Sequence, residues 1–169
     1  MKWVLIVFAF LILLVAVVAI TGMLLPKAHL ATRASRFKQP PQAIWEAITG
    51  PPNWRSDIRG FENLPPRNGH RSWAETDKRG QTIAYERLEE IPYSRLVTRI
   101  ATEKLPFGGA WTQEIRPLAD GCELIVTEAG EIYNPIFRFM ARFIFGYSGS
   151  IEKYLKALHQ KFGEAGGAG

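Results

Sequence analysis

The chain of 169 residues is poor in the residues that build covalent or metal-bound frameworks. Its single cysteine, Cys122, excludes an internal disulfide. The three histidines, His29, His70 and His159, are scattered, and none has ligand spacing to a carboxylate or to the cysteine. We therefore expect no disulfide scaffold, no metal site and no bound cofactor.

Several motifs that carry chemistry are also missing. The phosphate-binding loop, the dinucleotide glycine pattern and the Gly-x-Ser-x-Gly nucleophile turn do not occur. Residues 146–149 resemble the last of these only distantly, and they fall inside a predicted helix instead of a strand–turn–helix. Cys122 follows the turn signal Asp120-Gly121, so we interpret it as an ordinary strand residue.

The net formal charge is +5, but the positive residues are not grouped. No Lys/Arg block occurs, and the aromatic and basic motif of an RNA-binding sheet is absent. We therefore expect no nucleic-acid partner.

One long apolar run stands near the start of the chain. Residues 3–25 carry no charge, and as a helix they would span about 34 Å, enough for a hydrocarbon core of about 30 Å. The apolar core of a cleaved secretory signal is about 7–15 residues, and no convincing cleavage site precedes Pro26. We predict a transmembrane anchor at 3–25, a folded domain at 28–162 and a disordered glycine-rich tail at 163–169.

The charges that flank this run predict its orientation. Lys2 precedes the run, whereas several basic residues follow it closely: Lys27, Arg33, Arg36 and Lys38. The positive-inside rule then predicts that this single-pass protein keeps its domain on the cytoplasmic side.

Patterning after the anchor predicts an antiparallel α+β domain. The expected elements are a strand at 29–38, a helix from Pro41, a turn at Trp54, and strands at 57–64, 71–77, 81–87, 95–102, 110–116 and 122–132. The three-residue loop at 78–80 sets Trp73 opposite Tyr85 and Glu75 opposite Ile83. Pro65-Pro66 is expected to close the second strand.

A long amphipathic helix is predicted at 134–162. Asn134 can cap its start, while Gly146 and Gly149 predict a bend or a break. Its first half is apolar nearly all round, so some of these side chains could reach the lipid interface instead of being covered by loops. The membrane-contact candidates are Arg138, Phe139, Arg142 and Phe143.

Four stretches carry a resemblance to a known family: residues 41–48, Trp54, residues 111–128 and residues 130–135. In their order they resemble the helix-grip fold of the START and birch-pollen-allergen superfamily (SRPBCC proteins), and within it the bacterial polyketide cyclase/dehydrase-like branch. The resemblance covers about residues 29–162. It implies a curved antiparallel sheet of six to seven strands around the long C-terminal helix, with a cavity for a hydrophobic small molecule. It carries over no catalytic motif.

Polar and aromatic residues on the expected inner faces are the cavity candidates. They are Trp45, Trp54, Trp73, Glu75, Tyr85, Thr98, Trp111, Gln113, Glu128, Phe137, Met140 and Ile144. Tyr133 and the carboxylates Glu75 and Glu128 could point inward, where such a carboxylate can act as a general acid or base. The alternative, which we favour, is that the carboxylates pair with arginines such as Arg87 or Arg116, or lie outward.

Three functional hypotheses follow. The first is a membrane-anchored module that binds, and could transport, a lipid, quinone or other apolar molecule. The second is a cyclase- or dehydratase-like enzyme that uses a cavity carboxylate. The third is a membrane accessory protein with a protein partner and a vestigial cavity filled by aromatic side chains. Binding is favoured over catalysis, and no sequence feature identifies the ligand.

Overall fold

A computed structural model describes residues 2–164. Its helices are α1 (Lys2–Leu24), α2 (Pro41–Thr49), α3 (Pro135–Met140) and α4 (Gly149–Lys161), and a π-helical segment (Ala141–Phe145) follows α3. Its strands are β1 (Ala28–Phe37), β2 (Ile58–Arg67), β3 (His70–Asp77), β4 (Thr82–Ile91), β5 (Arg95–Ile100), β6 (Phe107–Leu118) and β7 (Gly121–Ile132).

The seven strands form one antiparallel sheet in the order β1-β7-β6-β5-β4-β3-β2. Helices α2 and α4 pack on one face of it, and this inner face holds the core. The fully buried side chains come from both layers: Ile44, Leu96, Leu124, Val126, Ile151, Leu155 and Leu158. The architecture is an α+β, helix-grip-like fold, as predicted.

Helix α2 forms because Pro41 occupies its first turn, where a missing N–H is tolerated. It buries Ile44, Trp45 and Ala47. The indole Nε1 of Trp54, in the following turn, donates to the carbonyl oxygen of Ala47 at 3.0 Å and fixes the exit of the helix. Both short elements lie where the sequence placed them.

Strand β2 is longer than expected. It continues through Pro65-Pro66 to Arg67, so the prediction that these prolines end the strand was wrong. The reason is topological, because β2 is the last strand of the sheet. Proline cannot donate to a ladder, but an edge strand leaves one row of N–H groups unused. The register with β3 shifts between Leu64 and Arg67, where the prolines lie.

The β3–β4 hairpin has the register that the loop predicted. Trp73 lies opposite Tyr85 and Glu75 opposite Ile83, and the rings of Trp73 and Tyr85 stack with 5.6 Å between centroids. Gly80 takes φ +90°, a left-handed conformation that favours glycine. The indole and the carboxylate therefore point to the same side of the sheet.

The predicted 134–162 helix is interrupted. The Asn134 side chain caps α3 by accepting from the backbone N–H of Ile136 at 2.9 Å. Gly146 then takes φ +72°, which ends the π-helical segment and turns the chain before α4. The expected break is confirmed at Gly146, whereas Gly149 is the first residue of α4.

Helix α1 ends against the domain. A Cβ on Gly22 would lie 1.9 Å from the carbonyl oxygen of Pro135, so glycine permits this close approach. The Arg138 guanidinium donates to the carbonyl oxygen of Leu25 at 2.8 Å and to that of Tyr133 at 3.3 Å. Arg138 is 6% exposed, so the prediction that it contacts the membrane was wrong.

The segment after α4 is tied to β1. The Glu164 carboxylate accepts from the backbone N–H of Lys38 at 3.2 Å and from the side chain of Gln39 at 3.2 Å. The predicted tail began at Gly163, but Gly163 and Glu164 belong to the folded part. Residues 165–169 lie outside the described residues.

Candidate ligand cavity

A cavity of about 1170 Å³ lies between the inner face of the sheet and the segment from α3 to α4. Ten of the twelve candidate residues line it: Trp54, Trp73, Glu75, Tyr85, Thr98, Trp111, Gln113, Glu128, Phe137 and Met140. Most of them come from consecutive strands that are neighbours in the sheet. For example, Thr98 lies opposite Trp111, which lies opposite Glu128.

Two candidates do not line the cavity. Trp45 is 7% exposed in the core, where α2 buries it with its ring edge toward Tyr93. Ile144 is 59% exposed, and Phe145 lines the cavity in its place. A π-helical turn adds a residue to the helical repeat and rotates the following side chains, which the 3.6-residue pattern does not anticipate.

Arg55, Asp57, Trp73 and Glu75 form the Arg55 site on the β2–β3 side of the cavity. Arg55 donates to Glu75 Oε2 and to Asp57 Oδ2, each at 2.8 Å. Trp73 Nε1 donates to Glu75 Oε1 at 3.0 Å. Each carboxylate oxygen of Glu75 therefore accepts a hydrogen bond from another residue of the site, Oε2 from Arg55 and Oε1 from Trp73.

The predicted arginine partners of the carboxylates were wrong. Arg87 donates to Glu90 and to the carbonyl oxygen of Thr49, while Arg116 approaches Glu114 at 3.9 Å. Arg55, which pairs with Glu75, lies in a turn that the strand pattern did not connect with β3.

Burial and charge shape the titration of the Arg55 site. Burial alone would raise the pKa of Asp57, but the hydrogen bond and the charge of Arg55 outweigh it and the pKa is lowered. Burial raises the pKa of the nearby Tyr85 hydroxyl, and the negative Glu75 adds to this effect. At neutral pH the carboxylate of Asp57 is therefore ionised, and Tyr85 is a neutral hydrogen-bonding group.

Tyr154 of α4 lies between the two sides of the cavity. Gln113 Nε2 donates to the Tyr154 hydroxyl at 2.8 Å. The Tyr154 ring also contacts the rings of Trp54 and Trp111 edge-on, with 5.3 and 5.4 Å between ring centroids. Burial raises the pKa of Tyr154 to about 12, so its hydroxyl stays protonated. This aromatic group fixes α4 against the sheet. The sequence pattern did not identify these contacts of Tyr154.

His29, Trp111, Glu128 and Ser150 form the Glu128 site on the β1–β7 side. Trp111 Nε1 and Ser150 Oγ donate to Glu128 Oε2 at 3.0 and 2.8 Å. The remaining oxygen, Oε1, has only the longer 3.4 Å contact with His29 Nε2. Among residues 2–164, no Lys or Arg lies within ion-pair distance of this carboxylate. Among these residues, Glu128 therefore lacks the arginine partner that Glu75 has.

The His29 ring is held in place from both sides. It stacks on Tyr147 with 4.3 Å between centroids. A Cβ on Gly130, directly opposite His29 in the sheet, would lie 2.3 Å from the His29 ring carbon Cε1 and 3.0 Å from Glu128 Oε1. The glycine thus allows His29 to lie flat beside Glu128. Sequence reasoning treated His29 as scattered because its partner is 99 residues away.

A second histidine forms a Ser-His-Glu row that the sequence did not suggest. Ser35 Oγ lies 2.7 Å from His159 Nε2, and His159 Nδ1 lies 3.6 Å from Glu164. Ser35 and His159 are each 3% exposed, and none of the three residues lines the cavity. A catalytic serine must reach a substrate, so this row serves the packing of α4 on β1.

The remaining nucleophile and metal candidates are inert in this geometry. Cys122 is buried, and burial raises the pKa of its thiol to about 11. Within the described part of the chain, no three His, Cys, Asp or Glu side chains are grouped to hold a metal ion.

No protein-family model matches the chain, and no curated protein matches it. Solved structures do match its fold. A protein of Mesorhizobium loti is similar with a TM-score of 0.62 at 16% identity, over 80% of this chain and 97% of that one. An uncharacterized protein of Bacillus thuringiensis has a TM-score of 0.59 at 17% identity, over 80% of this chain and all of that one.

The di-domain ARO/CYC StfQ of the steffimycin biosynthetic pathway is also similar, with a TM-score of 0.61 at 12% identity. The similarity spans 80% of this chain and 52% of StfQ. Identities this low define the fold alone. The chain therefore has a helix-grip-like fold that is shared with a cyclase and with bacterial proteins of unassigned role.

Proposed function

We propose that this chain is a membrane-anchored binding module that holds a hydrophobic small molecule, such as a lipid or quinone, between its sheet and α4. The observation that carries the proposal is the cavity of about 1170 Å³. Small-molecule sites usually have volumes of about 300–1,000 Å³, so this cavity has room for a large apolar ligand. The hypothesis of a vestigial cavity expected aromatic side chains to fill this space, and they line it instead.

The way in which α1 meets the domain supports a retained anchor. Helix α1 is 23 residues long and apolar enough to cross a membrane. Its end packs under Pro135 at Gly22, and Leu25, the first residue after the helix, accepts a hydrogen bond from the buried Arg138. Cleavage that removed Leu25 would take away an acceptor of the Arg138 guanidinium, and a hydrogen bond to a charged group contributes about 1.5–3 kcal/mol. These contacts support the proposal that the N-terminal helix is retained.

The position of the cavity supports entry of the ligand from the bilayer. Strand β1 begins four residues after α1 ends, so the β1 start and α3 lie at the membrane end. There Phe137, Met140 and Phe145 line the cavity. Phe143 and Phe145 are 58% and 70% exposed, an apolar surface beside the anchor that suits insertion among lipid chains.

The other membrane-contact candidates have different places in this proposal. Phe139 is half-buried against Phe143, at 4.8 Å between ring centroids, and supports the inserted surface from behind. Arg142 is exposed and can meet lipid phosphates. The flanking charges favour the cytoplasmic leaflet as the place where this contact is made.

Mass spectrometry of the full chain in nanodiscs tests the proposal. We expect solvent extraction to release about one apolar molecule per chain that is enriched over empty nanodiscs. Thr98→Phe adds a ring on the cavity wall and should reduce this amount several-fold. Thr112→Phe makes the same change on the outer face of the neighbouring strand, where it does not line the cavity, and should retain the ligand.

A clear negative outcome exists for this test. If the chain carries no enriched molecule, and takes up none after incubation with a total membrane extract, the binding function is wrong.

A second candidate function is a cyclase- or dehydratase-like reaction. It is favoured by the inward Glu128, which has no arginine or lysine partner among residues 2–164 and could act as a general acid or base. If the bound molecule is converted to a product that lacks one water, and Glu128→Gln stops this conversion without loss of binding, catalysis replaces simple binding. Unchanged recovery of the molecule supports binding.

A further inference from the structure

We propose that the Glu128 site selects ligands that carry an uncharged hydroxyl group on an apolar body. The inference rests on the proposed binding function and deepens it. The hydroxyl group would donate a hydrogen bond to Glu128 Oε1, at the membrane end of the cavity, while the apolar body fills the remaining space.

The hydrogen bonds of Glu128 carry this inference. An ionised carboxylate has about four acceptor positions. At Oε2, Trp111 and Ser150 occupy two of them at 3.0 and 2.8 Å, whereas Oε1 has only His29 at 3.4 Å. The Glu128 side chain lines the cavity and keeps 18% of its surface accessible. Oε1 therefore has acceptor capacity left for a group that enters the cavity.

The surroundings of Glu128 are rigid enough for recognition. Trp111 and Ser150 hold the carboxylate from the sheet and from α4. His29 is fixed between Tyr147 and Gly130, as described above. A preorganised acceptor loses little freedom when a ligand binds, so its hydrogen bond contributes to selectivity.

The carboxylate of Glu128 favours some ligand head groups over others. A carboxylate or phosphate head would face Glu128 with no Lys or Arg within ion-pair distance in residues 2–164 to offset the repulsion. An ammonium head group brings three N–H donors. His29, Trp111 and Ser150 already contact the carboxylate, so fewer than three of its acceptor positions remain for those donors. A hydroxyl group has one donor for Oε1 and a small desolvation cost.

The test uses four probes with the same C16 chain. They are 1-hexadecanol, its methyl ether, hexadecanoic acid and hexadecylamine, in isotope-labelled form. The full chain is placed in nanodiscs of phosphatidylcholine, whose head group has no hydroxyl donor. Equal amounts of the four probes compete, and mass spectrometry counts each probe retained per chain relative to empty nanodiscs.

We expect the alcohol to exceed the ether and the acid by about tenfold or more, the factor that corresponds to 1.4 kcal/mol. The ether is the decisive comparison, because it keeps the oxygen acceptor and the chain but cannot donate. This comparison uses the unaltered protein and does not depend on the folding of any variant. Equal retention of alcohol and ether, or preference for the amine or the acid, would overturn the inference.

Two variants assign the effect to Glu128. Glu128→Gln keeps the shape of the side chain but gives it an N–H₂ group, so the ratio of alcohol to acid should fall toward one. Glu123→Gln is the matched control, because Glu123 is a carboxylate on the same strand that pairs with Arg36 and does not line the cavity. It should leave the ratio unchanged. A ratio that survives in Glu128→Gln would place the selectivity elsewhere.

Failure of this inference can be distinguished from failure of the proposed function. If all four probes bind with equal preference, the cavity binds apolar molecules but Glu128 does not select a hydroxyl group. If none is retained and no molecule copurifies, the binding function itself is wrong.

Discussion

The cavity has a carboxylate on each side, and the two are held differently. Glu75 has a strong donor on each oxygen, Arg55 on one and Trp73 on the other. Glu128 has two donors on one oxygen and a long contact with His29 on the other. A buried carboxylate whose oxygens are both paired, one of them with an arginine, stabilises the fold. A carboxylate held on one oxygen by an indole and a hydroxyl group can still accept a hydrogen bond from a ligand on the other oxygen. Under the proposed function, the same residue type would thus serve two purposes in one cavity.

Breaking the Arg55 site should have the largest effect. Arg55→Met leaves Glu75, 10% exposed, without its cationic partner, and loss of one member of a buried pair costs about 3 kcal/mol. Urea unfolding of the full chain, followed by tryptophan fluorescence, measures this loss. Arg95→Met removes an arginine from exposed ion pairs and should change little. Equal losses in the two variants would contradict the structural role of Arg55.

Crowding the Glu128 site should have the next largest effect. In Gly130→Ala the new Cβ would collide with the His29 ring, and the forced shift should cost about 2 kcal/mol. Hydroxyl selectivity should fall as well, because His29 and Glu128 separate. Thermal unfolding and the probe competition measure the two effects. Gly149→Ala, where a Cβ meets nothing within 4 Å, is the control and should be neutral.

The smallest effect should be a pH dependence confined to the Arg55 site. The pKa of Asp57 is lowered in the folded state, so its interaction with Arg55 stabilises the fold above the ordinary value of 3.8 and is lost as the pH falls through the lower folded value. The free energy of unfolding of Asp57→Asn should therefore be below that of the unaltered chain at pH 6 and approach it below pH 3.8. A difference that is constant with pH would contradict this assignment.

Local signals in the sequence predicted much of the fold. Loop length set the β3–β4 register, Asn134 and Pro135 placed the start of α3, and Gly146 marked the break before α4. Each of these depends on residues within a few positions of one another. The prolines in β2 misled the prediction because edge position is a property of the whole sheet.

The site was predictable as a set of residues but not as a set of contacts. Alternation along strands placed Trp73, Thr98 and Trp111 on the cavity wall. Arg55, the ionic partner of Glu75, comes from a turn 20 residues away, and His29 contacts Glu128 from a strand 99 residues away. Such pairs depend on how the sheet brings distant strands together, and no short-range pattern encodes them.

The bond between Arg138 and Leu25 also bears on how far the domain can travel. Only residues 25–27 join α1 to β1, and three residues span at most about 11 Å when fully extended. In a chain anchored by α1, as proposed above, the Arg138 bond would limit how far the domain swings on this joint. The domain would then move with its anchor in the plane of the membrane. Cargo would then pass to acceptors that lie in or on the same bilayer, and a carrier across a wider aqueous gap would need another protein.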